Sequence, residues 1–462
     1  MSRLTCSLLF VLVSSAAGST AASAQTLTTL TSLTDGQLPW GSLVVDANGN
    51  LFGTTEGGGA SGYGTVYEIA KTSSGYASTP TTLVSFTGND DGSDPLAALI
   101  VDANGNLFGT AQSGGVNGVG TVFEIVKTSS GYASTPTIVV SFDNSHGAVP
   151  EAGLIADANG NLFGTTAVGG LDGGGTVFEI VKTSSGYASA PTILVSFDNA
   201  IGAVPEAGLI ADANGNLFGT TAVGGGSRYG TVFEIAKTSS GYASTPTTLV
   251  NFDNVNGAFP EAGLIADTNG NLFGTTNMGG ANGVGTVFEI ANSGGVYAST
   301  PITLVDFNGS NGSYPTAGLI ADANGNLFGT TSQGGAGYGT VFEIAKTSSG
   351  YASTPTTLVS FIGSDGSSPD GGLIVDGNGD LFGTTTGGGS AGTGTAFEIT
   401  GSGFVPPKDP KQFAGTPGSA NCIGKSISSL ADTDGGITHA APALGYASVS
   451  ALQSAIANYC GK

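Results

Sequence analysis

The chain has 462 residues, of which 80 are glycine and 10% are charged, and its 33 Asp and Glu residues outnumber 11 Lys and Arg residues, so the formal net charge is −22. This acidity argues against binding to nucleic acid or anionic lipid, because both carry dense negative charge. The abundance of glycine together with Thr, Val, Leu and Phe is typical of short β-strands joined by tight turns, and it favours an all-β fold.

Residues 1–24 have the layout of a secretory signal peptide. Arg3 precedes an apolar run at residues 8–13, and small residues at 22–24 predict cleavage before Gln25. We therefore expect a secreted or periplasmic protein. No later segment has the roughly 18 consecutive apolar residues that a membrane-spanning helix needs, so we predict no transmembrane segment.

Residues 25–404 contain seven in-phase copies of one repeat. Each copy has a segment of the form LIAD, then GNLFGTT or a close variant, then GTVFEI or a close variant. The GNLFGTT segments begin, at spacings of 54 to 56 residues, at Gly49, Gly105, Gly160, Gly215, Gly270, Gly325 and Gly379. A period of this size is typical of architectures in which each repeat is one supersecondary unit.

Each repeat contains four short stretches that favour β-strands. In the fourth repeat these are residues 208–212, 216–221, 230–235 and 247–252. None of them has helical periodicity, and four antiparallel strands make one blade of a β-propeller. The first two are joined through Asn214 and Gly215, a pair favoured in tight hairpin turns, and we expect both residues to have positive φ.

The two ends of the repeat region complement each other. Residues 28–33 have the pattern of a fourth strand, whereas no such strand follows the last GTAFEIT segment. We expect the N-terminal strand to complete the last blade, because this removes an exposed sheet edge. The predicted fold is therefore an all-β, seven-bladed β-propeller closed by the N-terminal strand.

The recurring LFGTT, GG and GTVF elements of residues 27–404 resemble those of the GloVer repeat proteins, a group of exported bacterial tandem-repeat proteins. The resemblance implies membership of this group and brings no established reaction with it. Many such proteins end in a cell-surface sorting or anchoring segment, and we recognise no such segment in this sequence.

The residue after the recurrent proline differs between the repeats. Strand polarity places it near the central axis, on the same face as the glycine-rich loops between the second and third strands. The seven residues at this position are Trp40, Leu96, Glu151, Glu206, Glu261, Thr316 and Asp370. A ring of carboxylates at a channel mouth could hold Ca²⁺ or a cationic ligand, and a tryptophan could stack on a sugar.

We take Trp40, Glu151, Glu206, Glu261 and Asp370 as the candidate ligand-binding residues. The competing interpretation is a set of solvated loop acids that bind nothing.

The loop at residues 89–94 is a candidate calcium site, because Asp90, Asp91 and Asp94 lie there beside two neutral oxygen donors. The competing interpretation is an acidic surface turn. The DANGN segments lack the glycine and the distant glutamate of a calcium loop. We therefore interpret them as hairpins in which the Asp accepts hydrogen bonds from the turn.

Two further units are predicted after the repeats. Residues 405–411 are a Pro-rich linker, and residues 412–462 form a small helical tail in which Ser448 begins a stretch with apolar residues at helical spacing. Cys422 and Cys460 are expected to form a disulfide that stabilises the tail by about 4 kcal/mol. A metal site is the alternative, although two cysteines and one nearby histidine are too few ligands.

Motifs for catalysis are scarce, since the chain has two histidines and neither a G-x-S-x-G segment nor a P-loop. We assign no catalytic residue and no cofactor other than a possible Ca²⁺. We expect a monomeric, non-enzymatic binding or scaffold module that contacts a polysaccharide, a cell-envelope component or a protein through its loops. A carboxylate- or calcium-dependent hydrolase or lyase acting on sugars at the axial mouth, and a structural adhesin, remain alternatives.

Overall fold

The computed structural model describes residues 25–406, which form seven consecutive four-stranded antiparallel sheets of a β-propeller. The prediction of seven blades is confirmed, and residues 25–406 contain no helix. The predicted signal peptide, most of the linker, and the helical tail with Cys422 and Cys460 lie outside the described residues. We number the blades 1 to 7 in chain order.

The strands recur at equivalent positions in every blade. The innermost strands are Val44–Val45, Ile100–Val101, Ile155–Ala156, Ile210–Ala211, Ile265–Ala266, Ile320–Ala321 and Ile374–Val375. The second strands are Leu51–Thr55, Leu107–Ala111, Leu162–Thr166, Leu217–Thr221, Leu272–Thr276, Leu327–Thr331 and Leu381–Thr385. The third strands are Thr65–Ile69, Thr121–Ile125, Thr176–Ile180, Thr231–Ile235, Thr286–Ile290, Thr340–Ile344 and Thr395–Thr400. The outer strands are Thr81–Ser85, Thr137–Ser141, Thr192–Ser196, Thr247–Asn251, Ile302–Asp306, Thr356–Ser360 and, in blade 7, Thr26–Ser32.

The hydrophobic core lies between neighbouring blades. All five residues of each second strand are buried, because both faces of a blade are covered by its neighbours. Phe218 and Val232 of blade 4, for example, pack in one cluster with Leu264 and Phe288 of blade 5. Burying each such side chain contributes about 1.5–3 kcal/mol, so repetition of the cluster holds the ring together.

The N-terminal strand completes blade 7, as the sequence predicts. Thr26–Ser32 pairs antiparallel with Thr395–Thr400, and Thr28 lies opposite Glu398. The strand therefore covers the edge that Thr395–Thr400 would otherwise expose and gives blade 7 the same four strands as the other blades.

The hairpin turns differ from the sequence prediction in one detail. Gly215 has φ of 83°, whereas Asn214 keeps a negative φ, so the prediction of positive φ at both residues was wrong. The Gly215 amide donates to the Asp212 carbonyl at 3.0 Å, as in a type I turn followed by a glycine bulge. The Asp212 carboxylate accepts hydrogen bonds from the amides of Asn214 and Asn216 at 2.9 and 2.8 Å, which confirms its predicted role in the turn.

A small ribbon follows the third strand in blades 1 to 6. Its paired segments are Lys71–Thr72 with Gly75–Tyr76, Lys127–Thr128 with Gly131–Tyr132, Lys182–Thr183 with Gly186–Tyr187, Lys237–Thr238 with Gly241–Tyr242, Asn292–Ser293 with Val296–Tyr297, and Lys346–Thr347 with Gly350–Tyr351. The ribbon tyrosine packs on a phenylalanine of the preceding blade, as in the edge contact of Tyr242 with Phe163 at 5.6 Å. The four strands predicted in each repeat do not include this ribbon.

Blade 7 has no ribbon, and the segment after its third strand, which contains Phe404 and Val405, takes the place of one. Phe404 packs against Phe328 of blade 6 with ring centroids 4.9 Å apart. The Ala323 amide donates to the Val405 carbonyl at 2.8 Å. The described part of the propeller thus extends past residue 404, where the repeats end in sequence, and this docking was not predicted.

The two faces of the ring carry different segments. We call the face with the blade-to-blade loops and the glycine-rich loops between second and third strands the loop face. The ribbons lie at the other end of the third strands, and we call that side the ribbon face.

Candidate functional site

In every blade a residue with positive φ precedes the recurrent proline and sets the direction of the chain at the axis. These residues, with φ between 53° and 61°, are Leu38, Asp94, Val149, Val204, Phe259, Tyr314 and Ser368. Side chains other than glycine rarely adopt this conformation, which costs about 1–3 kcal/mol per residue.

Two backbone hydrogen bonds hold this residue in each blade. In blade 4 the Val204 amide donates to the Gly174 carbonyl of blade 3 at 2.8 Å. The Val204 carbonyl in turn accepts from the Ala222 amide of its own blade at 2.9 Å. These two hydrogen bonds of Val204 fix the next two residues, Pro205 and Glu206, at the mouth of the central axis.

A cavity of about 660 Å³ lies on the axis at the loop face and is lined by all seven blades. Its mouth contains the seven residues that follow the prolines, Trp40, Leu96, Glu151, Glu206, Glu261, Thr316 and Asp370. The structure therefore brings the five candidate ligand-binding residues together around one cavity. Their binding of a ligand stays a prediction.

Glycines let the blades approach one another below the mouth. A Cβ atom on Gly208 would lie 3.4 Å from the Gly153 carbonyl oxygen of the preceding blade, and one on Gly318 would lie 3.2 Å from that of Gly263. Larger side chains here would fill the axis. The small residues leave the space that forms the lower wall of the cavity.

Side chains that follow the second strands hold most of the polar mouth residues. Gln112 donates to the Glu151 carboxylate, and Asn277 donates to that of Glu261 at 2.7 Å. These supporting side chains form a second ring around the mouth, which was not predicted from the sequence. The signal for it is the variable residue directly after each LFGTT segment: Glu56, Gln112, Ala167, Ala222, Asn277, Ser332 and Thr386.

Asp370 is held in the same way from two sides. Thr386 donates to one carboxylate oxygen at 2.8 Å, and Thr316 of blade 6 donates to the other at 3.1 Å. Burial raises the pKa of Asp370, and the two threonine hydrogen bonds oppose this effect.

Trp40 forms the opposite, less acidic part of the mouth together with Leu96. The indole is 39% exposed, and its Nε1 donates to the Glu56 carboxylate at 2.7 Å. This hydrogen bond orients an aromatic face beside the cavity. The mouth therefore has an apolar side in blades 1 and 2 and a carboxylate side in blades 3 to 5.

Glu206 differs from the other mouth carboxylates because no described residue donates a hydrogen bond to it. The second-ring positions of its own and the preceding blade are Ala222 and Ala167, which have no polar side-chain atom. Glu206 lies between Glu151 and Glu261 and interacts with both through like charge. Its carboxylate is thus the acceptor left free at the centre of the acidic side.

The pKa values of the acidic side reflect these contacts. Burial, with a further contribution from the charges of Glu151 and Glu261, raises the pKa of Glu206 to about 7. Burial also raises the pKa of Glu151 and Glu261, but the hydrogen bonds from Gln112 and Asn277 oppose it. Near neutral pH, Glu206 can therefore both accept and release a proton.

In the other candidate calcium site, the loop at 89–94, aspartate side chains accept hydrogen bonds from the loop itself and from Thr87 just before it. Asp91 accepts from the Thr87 amide at 3.0 Å and hydroxyl at 2.6 Å, and Asp94 accepts from the Ser93 hydroxyl at 3.2 Å. These are the contacts of an acidic surface turn. Among residues 25–406, no group of three or more His, Cys, Asp or Glu side chains is placed to hold a metal ion. Calcium binding by Asp90, Asp91 and Asp94 stays a prediction.

Seven blades around a cavity with a variable mouth define the chain as a β-propeller with a candidate ligand-binding site on its axis. A family model, the Gloeobacter/Verrucomicrobia repeat, matches residues 13–233, 188–397 and 300–435. The chain belongs to this repeat family, which confirms the resemblance seen in the sequence.

Solved structures show weaker similarities. A candidate 6-phosphogluconolactonase of Bacteroides uniformis has a TM-score of 0.44 at 14% identity, over 69% of this chain and 86% of that one. A candidate 6-phosphogluconolactonase of Bacteroides fragilis has a TM-score of 0.44 at 14% identity, over 76% of this chain and 88% of that one. A candidate oxidoreductase (glucose dehydrogenase) of Thermus thermophilus has a TM-score of 0.41 at 11% identity, over 81% of this chain and 99% of that one. These TM-scores lie below 0.5, and the similarities support no statement about the function of the chain.

The chain matches none of the curated proteins with which it was compared. In residues 25–406 no helix is long and apolar enough to cross a membrane.

Proposed function

We propose that this protein is an exported, non-enzymatic binding module that holds a ligand in the axial cavity of its loop face. The ligand carries ammonium or hydroxyl groups that donate hydrogen bonds to the mouth carboxylates. A polysaccharide with such groups, a cell-envelope component or a protein chain would meet this requirement. Export is supported by the signal-peptide pattern of residues 1–24.

The observation that carries the proposal is the free carboxylate of Glu206. It lies in a cavity of about 660 Å³, within the size range of ligand sites. Two like charges flank it, and no described side chain offers it a hydrogen bond. A bound ammonium group would relieve both conditions, and a hydroxyl group would supply the missing hydrogen bond.

Hydrolysis of sugars at the same mouth is the second candidate function. A carboxyl group with a pKa of about 7, such as that of Glu206, is suited to act as a general acid near neutral pH. Glu151 and Glu261 on the adjacent blades provide a second carboxylate. New reducing ends released from a polysaccharide by the wild type but not by Glu206→Gln would establish this function.

Thermal unfolding of residues 25–462 tests the binding proposal, because a ligand that binds the folded state raises the unfolding midpoint as its concentration rises. The probes are a glucosamine tetramer, its N-acetylated form and Ca²⁺. We expect the midpoint to rise with the glucosamine tetramer in the wild type and in Asp172→Asn, an exposed loop control, but not in Glu206→Gln. If no probe raises the midpoint of the wild type, the proposal is contradicted. A shift with Ca²⁺ alone that depends on Glu206 would replace the organic ligand with a metal.

A further inference from the structure

Basic side chains are distributed unequally between the two faces of the propeller, whereas acidic side chains occur on both. Of the six Lys and Arg residues within 25–406, Arg228 lies on the loop face, and the five lysines lie in the ribbons of the other face. The ribbon lysines face acids of the preceding blade, as Lys127 faces Asp46 at 3.5 Å. Their charge is therefore partly balanced within the ribbon face.

The loop face has Arg228 as its one Lys or Arg residue within 25–406, so its acids have little basic charge nearby. Six of its seven blade-to-blade loops contain aspartate, at Asp35, Asp90, Asp143, Asp198, Asp253 and Asp365 among other positions. The mouth of the axial cavity adds four more carboxylates. A surface with one sign of charge favours a partner with the opposite sign and repels partners with the same sign.

The loop face also exposes large apolar side chains. Val116, Leu171, Val255 and Ile362 are 74%, 90%, 78% and 60% exposed, and all four lie in its loops. The one other large apolar side chain in residues 25–406 with an exposure of at least 60% is Val296, at 72%, in a ribbon. Exposed apolar residues grouped on one face are typical of contact surfaces.

Two of these residues occupy one position of the repeat. Val116 of blade 2 and Leu171 of blade 3 each follow the Gly-Gly pair of the glycine-rich loop, where the other blades have Ala60, Gly226, Ala281, Ala336 and Ser390. The loop does not need an apolar side chain at this position, because five blades form it with small residues. The two residues lie beside the outer strands, since the amides of Val116 and Asp172 bind the hydroxyls of Ser141 and Ser196. Their blades, 2 and 3, adjoin the acidic side of the mouth, which begins at Glu151 of blade 3.

We infer that the loop face binds a basic protein segment whose apolar side chains cover Val116 and Leu171 while its Lys or Arg side chains reach the mouth carboxylates. This inference rests on the proposed binding role of the loop face and names its partner. Nucleic acid and anionic lipid are disfavoured by charge, and a second copy docked face to face would oppose two acidic mouths. A basic polysaccharide matches the charge but has no apolar side chains for Val116 and Leu171.

Binding of synthetic peptides to residues 25–462 tests the inference. The probes are a peptide that alternates Lys with Leu, a peptide of equal length that alternates Lys with Ser, and a glucosamine tetramer. We expect the Lys–Leu peptide to bind about tenfold more tightly than the Lys–Ser peptide, through apolar contact with the loops. The double variant Val116→Ser/Leu171→Ser should lose this tenfold gain and keep its affinity for the Lys–Ser peptide. The matched control Val296→Ser should bind both peptides like the wild type.

Equal affinity for the two peptides, or an unchanged gain in the double variant, would overturn the inference. Tighter binding of the glucosamine tetramer than of either peptide would also overturn it, but would leave the proposed axial site intact. If the Lys–Leu gain depends on Val116 and Leu171 while Glu206→Gln binds the peptides normally, the apolar contact with the loops is supported, but the contact of Lys with Glu206 and the proposed axial site are refuted. Thermal unfolding of each variant verifies that these exposed substitutions leave the fold unchanged.

Discussion

Thr384 donates a hydrogen bond from its Oγ1 to the carbonyl oxygen of Gly41 at 3.1 Å, although 343 positions separate the two residues in sequence. The same contact links consecutive blades elsewhere, as from Thr165 to the Ala207 carbonyl at 3.0 Å. Since Thr384 belongs to blade 7 and Gly41 leads into blade 1, this bond closes the ring. It fixes the inner backbone directly beside Trp40 and thus the mouth of the cavity.

The ring-closing bond should contribute as much stability as its counterparts. Thr384→Val leaves the buried Gly41 carbonyl without its donor, which should lower the free energy of unfolding by about 1–3 kcal/mol. The matched variant Thr165→Val should cost a similar amount, because its geometry is equivalent. Urea denaturation measures both. A Thr384→Val protein as stable as the wild type, beside a destabilised Thr165→Val protein, would show that the ring is open at this seam.

Docking of Phe404 should be essential to the seam between blades 6 and 7. Phe404 is 6% exposed, and its truncation in Phe404→Ala should cost about 3–5 kcal/mol in denaturant unfolding. Val405→Ala is the control, since Val405 is 43% exposed and its contact with Ala323 is made by the backbone. Equal, small losses in both variants would mean that Phe404 does not replace the missing ribbon.

The pH dependence of stability should report on Glu206. Its pKa is raised to about 7 in the folded protein, so the fold binds a proton more tightly than the unfolded chain does. Stability should therefore fall as the pH rises from about 4.5 to about 7, and Glu206→Gln should remove part of this fall, on the order of 1–2 kcal/mol after solvent screening. Urea unfolding at pH 5 and pH 8 compares the two proteins.

Glu151, Glu261 and Asp370 also have raised pKa values and should add to the same decline in the wild type and in Glu206→Gln. A wild-type stability that rises between pH 5 and pH 8, or an identical decline in Glu206→Gln, would contradict the assigned environment of Glu206.

A hydrogen-bond donor introduced beside Glu206 should remove the unusual properties of its carboxylate. In blade 5, Asn277 donates to Glu261 of the same blade at 2.7 Å, and Ala222 is the equivalent of Asn277 in blade 4. Ala222→Asn should therefore donate to Glu206, lower its pKa and flatten the dependence of stability on pH between 5 and 8. Ala222→Ser, with a shorter side chain, is the control. A pH profile for Ala222→Asn that matches the wild type would show that the two blades are not equivalent here.

The sequence was sufficient to predict the fold because one pattern occurs seven times. The in-phase recurrence of LFGTT and GTVFEI and the unmatched N-terminal strand determine the blades and their closure, and strand polarity brings Glu206 to the axis with its neighbours. Repetition also separates structural positions from variable ones. The mouth residues were found because they vary where the adjacent proline does not.

Features that depend on contacts between distant segments could not be predicted in this way. The second ring, with Gln112 and Asn277, lies on other loops, and only the folded chain shows which mouth residue each side chain meets. Phe404 follows the last repeat and takes the place of a ribbon tyrosine without resembling one in sequence. At Asn214, the Asp212 carboxylate holds the turn and outweighs the preference of Asn-Gly pairs for positive φ.

The most direct test of the axial site is calorimetric titration of residues 25–462 with the glucosamine tetramer at pH 7, for the wild type and Glu206→Gln at equal ionic strength. We expect saturable binding by the wild type. Glu206→Gln should lose at least about tenfold in affinity, because it lacks the free carboxylate at the centre of the acidic side. Absence of binding to the wild type, or equal affinity of the two proteins, would contradict a ligand site at the axial mouth.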